Sequence, residues 1–139
     1  MRIKIKLDVG AKKPTRAHEL DAGYDIYAME ARAVPAQGSA VFDTGVHIEI
    51  PRGYVGFLKS KSGLNVKYGL VGEGVIDSGF SGSIRVKLYN NSREDYQVEA
   101  GDKISQIVLL PIITPELEIV NELGETERGA GGFGSSGRR

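Results

Sequence analysis

The chain has 139 residues, with 18 Lys+Arg against 18 Asp+Glu, two histidines and no cysteine. That length suits one domain able to fold without covalent staples, and the missing cysteines exclude a disulfide framework, a thiolate zinc site and a cysteine nucleophile. The cancelled charge provides no overall field to draw the chain onto nucleic acid or an anionic membrane, while glycine, at 19 residues or about 14%, is twice its usual share of ~7%.

In chain order, Ile3, Ile5, Leu7 and Val9 alternate with Arg2, Lys4, Lys6 and Asp8. This is the period of a strand with one buried face, not the continuous apolar block of a signal peptide. Val46, Ile48 and Ile50 alternate with His47 and Glu49 and stop at Pro51-Arg52-Gly53. Tyr54 to Leu58 is an apolar strand, and Ser62 to Tyr68 has room for a helical turn, with Ser62 as its cap. Val75 and Ile76 read as the end of a buried strand. Ile84, Val86 and Leu88 then alternate with Arg85, Lys87 and Tyr89 before the turn Asn90-Asn91-Ser92, and Gly101-Asp102 marks another turn. Ile107 to Ile113 is nearly apolar but contains Pro111 and is far too short to span a membrane. No longer segment has helical periodicity. The fold expected is all-β, a jelly-roll-like β-barrel, in a soluble, cytoplasmic protein.

Residues 1–123 read as one β-domain and 124–139 as a flexible C-terminal arm. Six glycines and one aromatic residue lie from Gly124 onward, a composition that cannot bury enough apolar area to offset the entropy of ordering. Five more glycines fall from Gly69 to Gly82.

Three clusters could carry chemistry, and each has a plain structural reading beside the functional one. In the arm, Phe133 offers a stacking face, Arg128 a cation, and Ser135 and Ser136 hydroxyls, which together suit a nucleotide; a disordered terminus has the same composition. In the run from Gly72 to Gly82, Asp77 sits between Val75-Ile76 and a turn, where a carboxylate can act as general base; Asp-Ser-Gly is equally ordinary turn chemistry. Lys59-Ser60-Lys61-Ser62-Gly63 could cradle phosphate, although it lacks the spacing of a Walker loop, or it could be a solvated basic loop. His18 and His47 have no ligand spacing between them, and His47 alternates outward as a solvated surface residue.

The order of these clusters resembles the trimeric dUTP diphosphatase (dUTPase) family. Five motifs carry the resemblance: Ala22-Gly23-Tyr24-Asp25-Ile26, Lys61-Ser62-Gly63-Leu64, Gly74 to Gly82, Gly101-Asp102-Lys103-Ile104-Ser105-Gln106, and Arg128 to Gly137. The resemblance implies hydrolysis of dUTP to dUMP and pyrophosphate, by attack of a water activated by Asp77 on the α-phosphorus. Asp25 is implied as the second catalytic carboxylate, supporting the catalytic and metal-bound waters. Lys61, Ser62, Gly63, Gln106, Arg128, Ser135 and Ser136 are implied at the phosphates. Gly74, Val75, Ile76 and the backbone at Arg85 would read uracil, Phe80 would pack on the deoxyribose, and Phe133 would cover the base.

The implied cofactor is Mg2+, held mainly by the triphosphate with no direct protein ligand, Asp25 reaching it through water. The implied assembly is a homotrimer with active sites at subunit interfaces, each arm closing over a site. Neither nucleic acid nor membrane is expected as a partner. Lys61 and Phe80 depart from the family's usual Arg and Tyr: lysine lacks the planar fork, and phenylalanine keeps the ring while losing a hydroxyl. A dCTP deaminase-like enzyme is the alternative on the same fold, but resemblance to that family would imply a proton-shuttling glutamate where Lys87 stands. A nucleotide-sensing regulatory protein is the other alternative.

Overall fold

A computed structural model describes residues 1–139. Eleven strands and one short helix occur in the order β1 (Ile5–Leu7), β2 (Gly23–Tyr27), β3 (Arg32–Val34), β4 (Ser39–Asp43), β5 (Val46–Ile48), β6 (Tyr54–Lys59), α1 (Ser62–Tyr68), β7 (Leu70–Val71), β8 (Gly74–Ile76), β9 (Arg85–Asn90), β10 (Tyr96–Val98) and β11 (Lys103–Pro111). The all-β expectation holds. Every ladder is antiparallel, but the strands fall into four sheets, β1-β5, β3-β10, β2-β11-β6-β8 and β4-β9-β7, so hydrogen bonding does not close into one continuous barrel.

The core lies between the sheets. Ile26, Leu58, Ile76, Ile104 and Ile107 of the four-stranded sheet join Phe42, Leu70, Val86 and Leu88 of the three-stranded one, with Val34, Val46, Ile48 and Val98 from the two small sheets. In β9 the inward residues Val86, Leu88 and Asn90 alternate with exposed Arg85, Lys87 and Tyr89, as period two requires. Asn90 is a polar member of this interior, and its amide donates to the carbonyls of Val34 and Glu94.

Three local expectations change. The alternation of the first strand is real, yet all three residues of β1 are exposed, and only Ile3 of that apolar set packs on the core. Val75 is also exposed; of its pair only Ile76 is buried. In α1, Ser62 is the first helical residue and Lys61 holds the cap position without a side-chain cap bond. The helix ends at Gly69, whose φ of 69° lets its N–H turn back onto the Asn65 and Leu64 carbonyls.

One irregularity aims side chains. β11 pairs Lys103 with Tyr27 but Ser105 with Ile26 and Gln106 with Asp25, a register shift between Lys103 and Ser105. Consecutive Ile104 and Ser105 are both buried there, and the alternation resumes one residue out of phase. A bulge of this kind re-aims the residues on either side of it. After β11 no further strand forms, and every residue from Ile112 onward is exposed.

Candidate active site

Asp25 lies on β2, between the buried positions Gly23 and Tyr27 on its own face. Its backbone is fixed on one side by β11 and on the other by a bridge to Thr15. The side chain is only 7% exposed, and burying an unpaired carboxylate costs several kcal/mol, so it requires compensating charge. That charge comes from two lysines. Lys61 Nζ donates to Oδ1, and Lys103 Nζ donates to Oδ2 at 2.9 Å. Burial alone would push the carboxyl up, but the hydrogen bonds and charges of Lys61 and Lys103 outweigh it and hold Asp25 below the ordinary carboxylate value of 3.8. Reciprocally, the Asp25 hydrogen bond raises Lys103 above its usual value.

Around this triad is a cavity of about 300 Å³, lined by Asp25, Lys61, Ser62, Lys103 and Gln106 with the loop residues Ala17, Asp21 and Ala22 and with Gly23 at the start of β2. The bulge in β11 is what brings Lys103 and Gln106 to the same cavity. Gln106 Nε2 donates to the Ser60 carbonyl at 3.1 Å, which anchors the turn leading into α1. Four residues expected at the site, Asp25, Lys61, Ser62 and Gln106, therefore meet, and Gly63 follows in the exposed first turn of α1. Lys103 belongs with them, a residue of the fourth motif that nothing in the sequence sets apart from its neighbours.

The remaining expected residues lie elsewhere on the chain. Gly74, Val75 and Ile76 form β8, paired with β6 on one side only, so this strand is a sheet edge with its other main-chain side unpaired. Ser60 Oγ bonds both the Gly72 carbonyl and the Gly72 N–H, and Lys59 pairs with Glu73 at 2.7 Å, tying the approach to β8 to the end of β6. Asp77 follows β8 directly, is exposed, and does not line the Asp25 cavity. Arg85 starts β9 opposite Asp43 of β4; β7 covers β9 only at Tyr89 and Asn90, so the far edge at Arg85 is also open.

Phe80 is 44% exposed in the loop after Asp77. Arg128, Phe133, Ser135 and Ser136 are all exposed in the arm, where Arg128 Nε donates only to the nearby Gly131 carbonyl.

The expectation for His47 is corrected. Its side chain is 19% exposed, and both ring nitrogens are engaged, by the Ser81 carbonyl and by Asp8. Strand alternation places it outward, but the neighbouring loop and the segment after β1 close over it.

A family model described as dUTPase matches residues 10–137. The chain is 45% identical to the deoxyuridine 5'-triphosphate nucleotidohydrolase of Yarrowia lipolytica, across 99% of this chain and 90% of that one. It is also 45% identical to the enzyme of the same name from Paramecium bursaria Chlorella virus 1, across 95% and 94%. Among solved structures, Staphylococcus bacteriophage 80alpha dUTPase with dUPNHPP superposes with a TM-score of 0.88 at 36% identity, covering 98% of each chain. A variant dUTPase of Staphylococcus aureus phage phi11, whose structure reveals the coordination of a structural Mg(II) ion, superposes with a TM-score of 0.82 at 35% identity, covering 88% of this chain and 98% of that one.

Proposed function

The chain belongs to the dUTPase family, and from that premise we propose how its own residues hydrolyse dUTP to dUMP and pyrophosphate. The observation that carries the assignment of roles is the edge strand β8, which offers unpaired main chain at Gly74, Val75 and Ile76 and ends on the exposed carboxylate of Asp77. A base edge hydrogen-bonded by main-chain groups is selected sharply, because a base with the wrong donors and acceptors leaves desolvated groups unpaired. The open edge of β9 at Arg85 extends this surface.

Asp77 accepts a proton from the attacking water. The water oxygen bonds to the α-phosphorus, the bond to the bridging oxygen breaks, and pyrophosphate leaves. Displacement at a triphosphate is mostly positioning and charge neutralisation, which suits one base among many donors. Ser62, Gly63 and Gln106 hold phosphates, with Lys61 and the Asp25–Lys103 pair behind them. Phe80 packs on the deoxyribose. From the arm, Phe133 covers the uracil, and Arg128, Ser135 and Ser136 close on the phosphates.

The donor set suits a magnesium ion held by the triphosphate rather than by a protein cage. Each Asp25 oxygen is already taken by a lysine, and no three His, Cys, Asp or Glu residues are grouped to hold an ion. Asp25 would reach the metal through water, and the ion supplies neutralisation of phosphate charge when bound.

The chain acts as a homotrimer in this reading, with each site completed by neighbours. Two features support it. The proposed site residues are divided between the Asp25 cavity, the β8 edge and the arm of one chain, and Ile113, Leu117, Ile119 and Leu123 beyond β11 leave their apolar side chains in solvent, each at least 87% exposed. Deamination finds no support, since Lys87 points out over the Tyr89 ring, 4.9 Å from its centroid. Pyrophosphate release measured across dUTP, dCTP, dTTP and UTP, with and without magnesium, tests the reading. Release from dUTP alone supports it, and ammonia from dCTP overturns it.

A further inference from the structure

His47 is the middle residue of β5, and its ring lies between two acceptors. Nδ1 is 2.8 Å from the Ser81 carbonyl, and Nε2 is 3.0 Å from Oδ1 of Asp8. A neutral imidazole has one N–H and can donate to one of them; the imidazolium donates to both. When protonated, the ring therefore clamps three pieces of chain: the segment after β1 through Asp8, β5 itself, and the loop from Asp77 to Gly82 through Ser81.

That loop has little else to fix it. Phe80 N–H donates to the Asp77 carbonyl at 3.0 Å, closing a turn. The Phe80 ring lies back against Gly82, so closely that a Cβ there would meet ring carbons at 2.7 and 2.9 Å. Ser81, whose carbonyl His47 holds, joins the ring to the glycine it rests on. Phe80 and His47 also line the same cavity of about 460 Å³.

We propose that His47 is a positioning residue for the sugar of the nucleotide: by donating from both ring nitrogens it fixes the Ser81 carbonyl, and through it the Phe80 ring. The proposal rests on the reading of Phe80 as the ring that packs on deoxyribose, and it makes substrate affinity depend on a protonation outside the base and phosphate contacts.

The charges around the ring set the direction of its pH dependence. The Ser81 carbonyl and then Asp8 favour the imidazolium and raise His47 above its usual 6.5, against some loss of solvation and the opposing charge of Lys6 on β1. Lys4 and Glu49, at the rim of the cavity, pair with each other at 3.6 Å, and the loop's only ionisable residue is Asp77. The clamp is complete below the ordinary histidine value and loosens as pH rises through the raised one.

The test is KM and kcat for dUTP between about pH 5.5 and 9.5, for the wild type, H47Q and D8N. Because the substrate's terminal phosphate also titrates, the informative quantity is the KM ratio of variant to wild type. For H47Q the ratio should be roughly three- to tenfold at the acid end, the scale of one lost hydrogen bond, and should fall toward one at the alkaline end, with kcat unchanged. D8N should move the wild-type transition to lower pH. Without substrate, the amide resonances of Ser81 and Gly82 should titrate together with the His47 ring.

A KM ratio of one throughout, or one that does not vary with pH, overturns the proposal, as do Ser81 and Gly82 amides that ignore the ring. If the wild type releases no pyrophosphate from dUTP, the functional reading fails, and the resonance titration still decides the clamp.

Discussion

Asp25 and Lys61 are 36 residues apart in the chain, yet the Lys61 ammonium donates to a carboxylate that is almost out of solvent. The pair, with Lys103 on the second oxygen, fixes both lysines in a cavity where phosphates would otherwise be their first partners. D25N keeps the shape and removes the charge. It should destabilise the fold by about 1–2 kcal/mol at neutral pH, with the contribution of the half-exposed Lys103 reduced by water.

Since the Asp25 carboxyl is held below 3.8, its contribution is present above that pH and is lost as pH falls through the lowered folded-state value. Urea denaturation from neutral pH into acid should therefore show the wild type and D25N converging only below the ordinary carboxylate range. A gap that is the same at every pH would mean that the carboxylate is not paired as an ion.

Lys61 stands where the motif of its family usually has arginine. A lysine donates to Asp25 and to a phosphate oxygen through single N–H groups of one point charge, whereas a guanidinium offers five donors in a planar fork and can grip a phosphate bidentately while still holding the carboxylate. K61R should lower KM for dUTP by roughly two- to fivefold with little change in kcat. Steady-state kinetics with a thermal melt on the same samples checks this. An unchanged KM with a lowered Tm would show that the cavity, 300 Å³ and already shared with Lys103, is shaped for the narrower side chain.

Asp77 has the simplest environment of the proposed catalytic groups: exposed, at the end of an edge strand, outside the Asp25 cavity. D77N removes a base without leaving a buried charge behind, so stability should hold while turnover falls by about 10²–10⁴. Equilibrium binding of a non-hydrolysable dUTP analogue should stay within a few-fold of the wild type. Retained turnover would remove Asp77 from the role of base.

The sequence made the period-two elements readable because burial on one face leaves a direct imprint on residue type. β9 follows its alternation residue for residue, and the helical turn after Lys61 ends at the glycine that closes it. What it did not disclose depends on partners distant in the chain. Simple alternation along β11 would put Lys103 and Ser105 on one face and Gln106 on the other; the bulge, visible only against β2, turns Lys103 and Gln106 to Asp25 instead. His47 reads as a solvated strand residue because Asp8 and Ser81, its partners, are 39 and 34 positions away. β1 keeps the alternation of a buried strand although this chain covers its apolar face only in part, leaving Ile5 38% and Leu7 39% exposed.

The arm offers the sharpest separation of function from stability. Every residue from Arg128 to Arg139 is exposed, Phe133 fully so, and its hydrogen bonds, such as those from Gly131 to Arg128, Ser135 to Gly132 and Gly137 to Gly134, reach no further than three residues along the chain. Such a segment buries no apolar area to lose, so deleting residues 128–139 should change Tm by less than about 2 °C. Ordering it over a bound nucleotide would place Phe133 on the base and the Arg128 guanidinium and serine hydroxyls on the phosphates, replacing water around the reacting groups by fixed donors. Turnover should then fall by about 10² or more on deletion. F133A should raise KM by roughly five- to a hundredfold, the range for losing one base–aromatic stack. Mixing the truncated chain with D77N gives the decisive arm of the experiment. If sites are shared between subunits, each variant supplies what the other lacks, and activity reappears in co-refolded mixtures; if each chain closes its own site, the mixture stays as inactive as its parts.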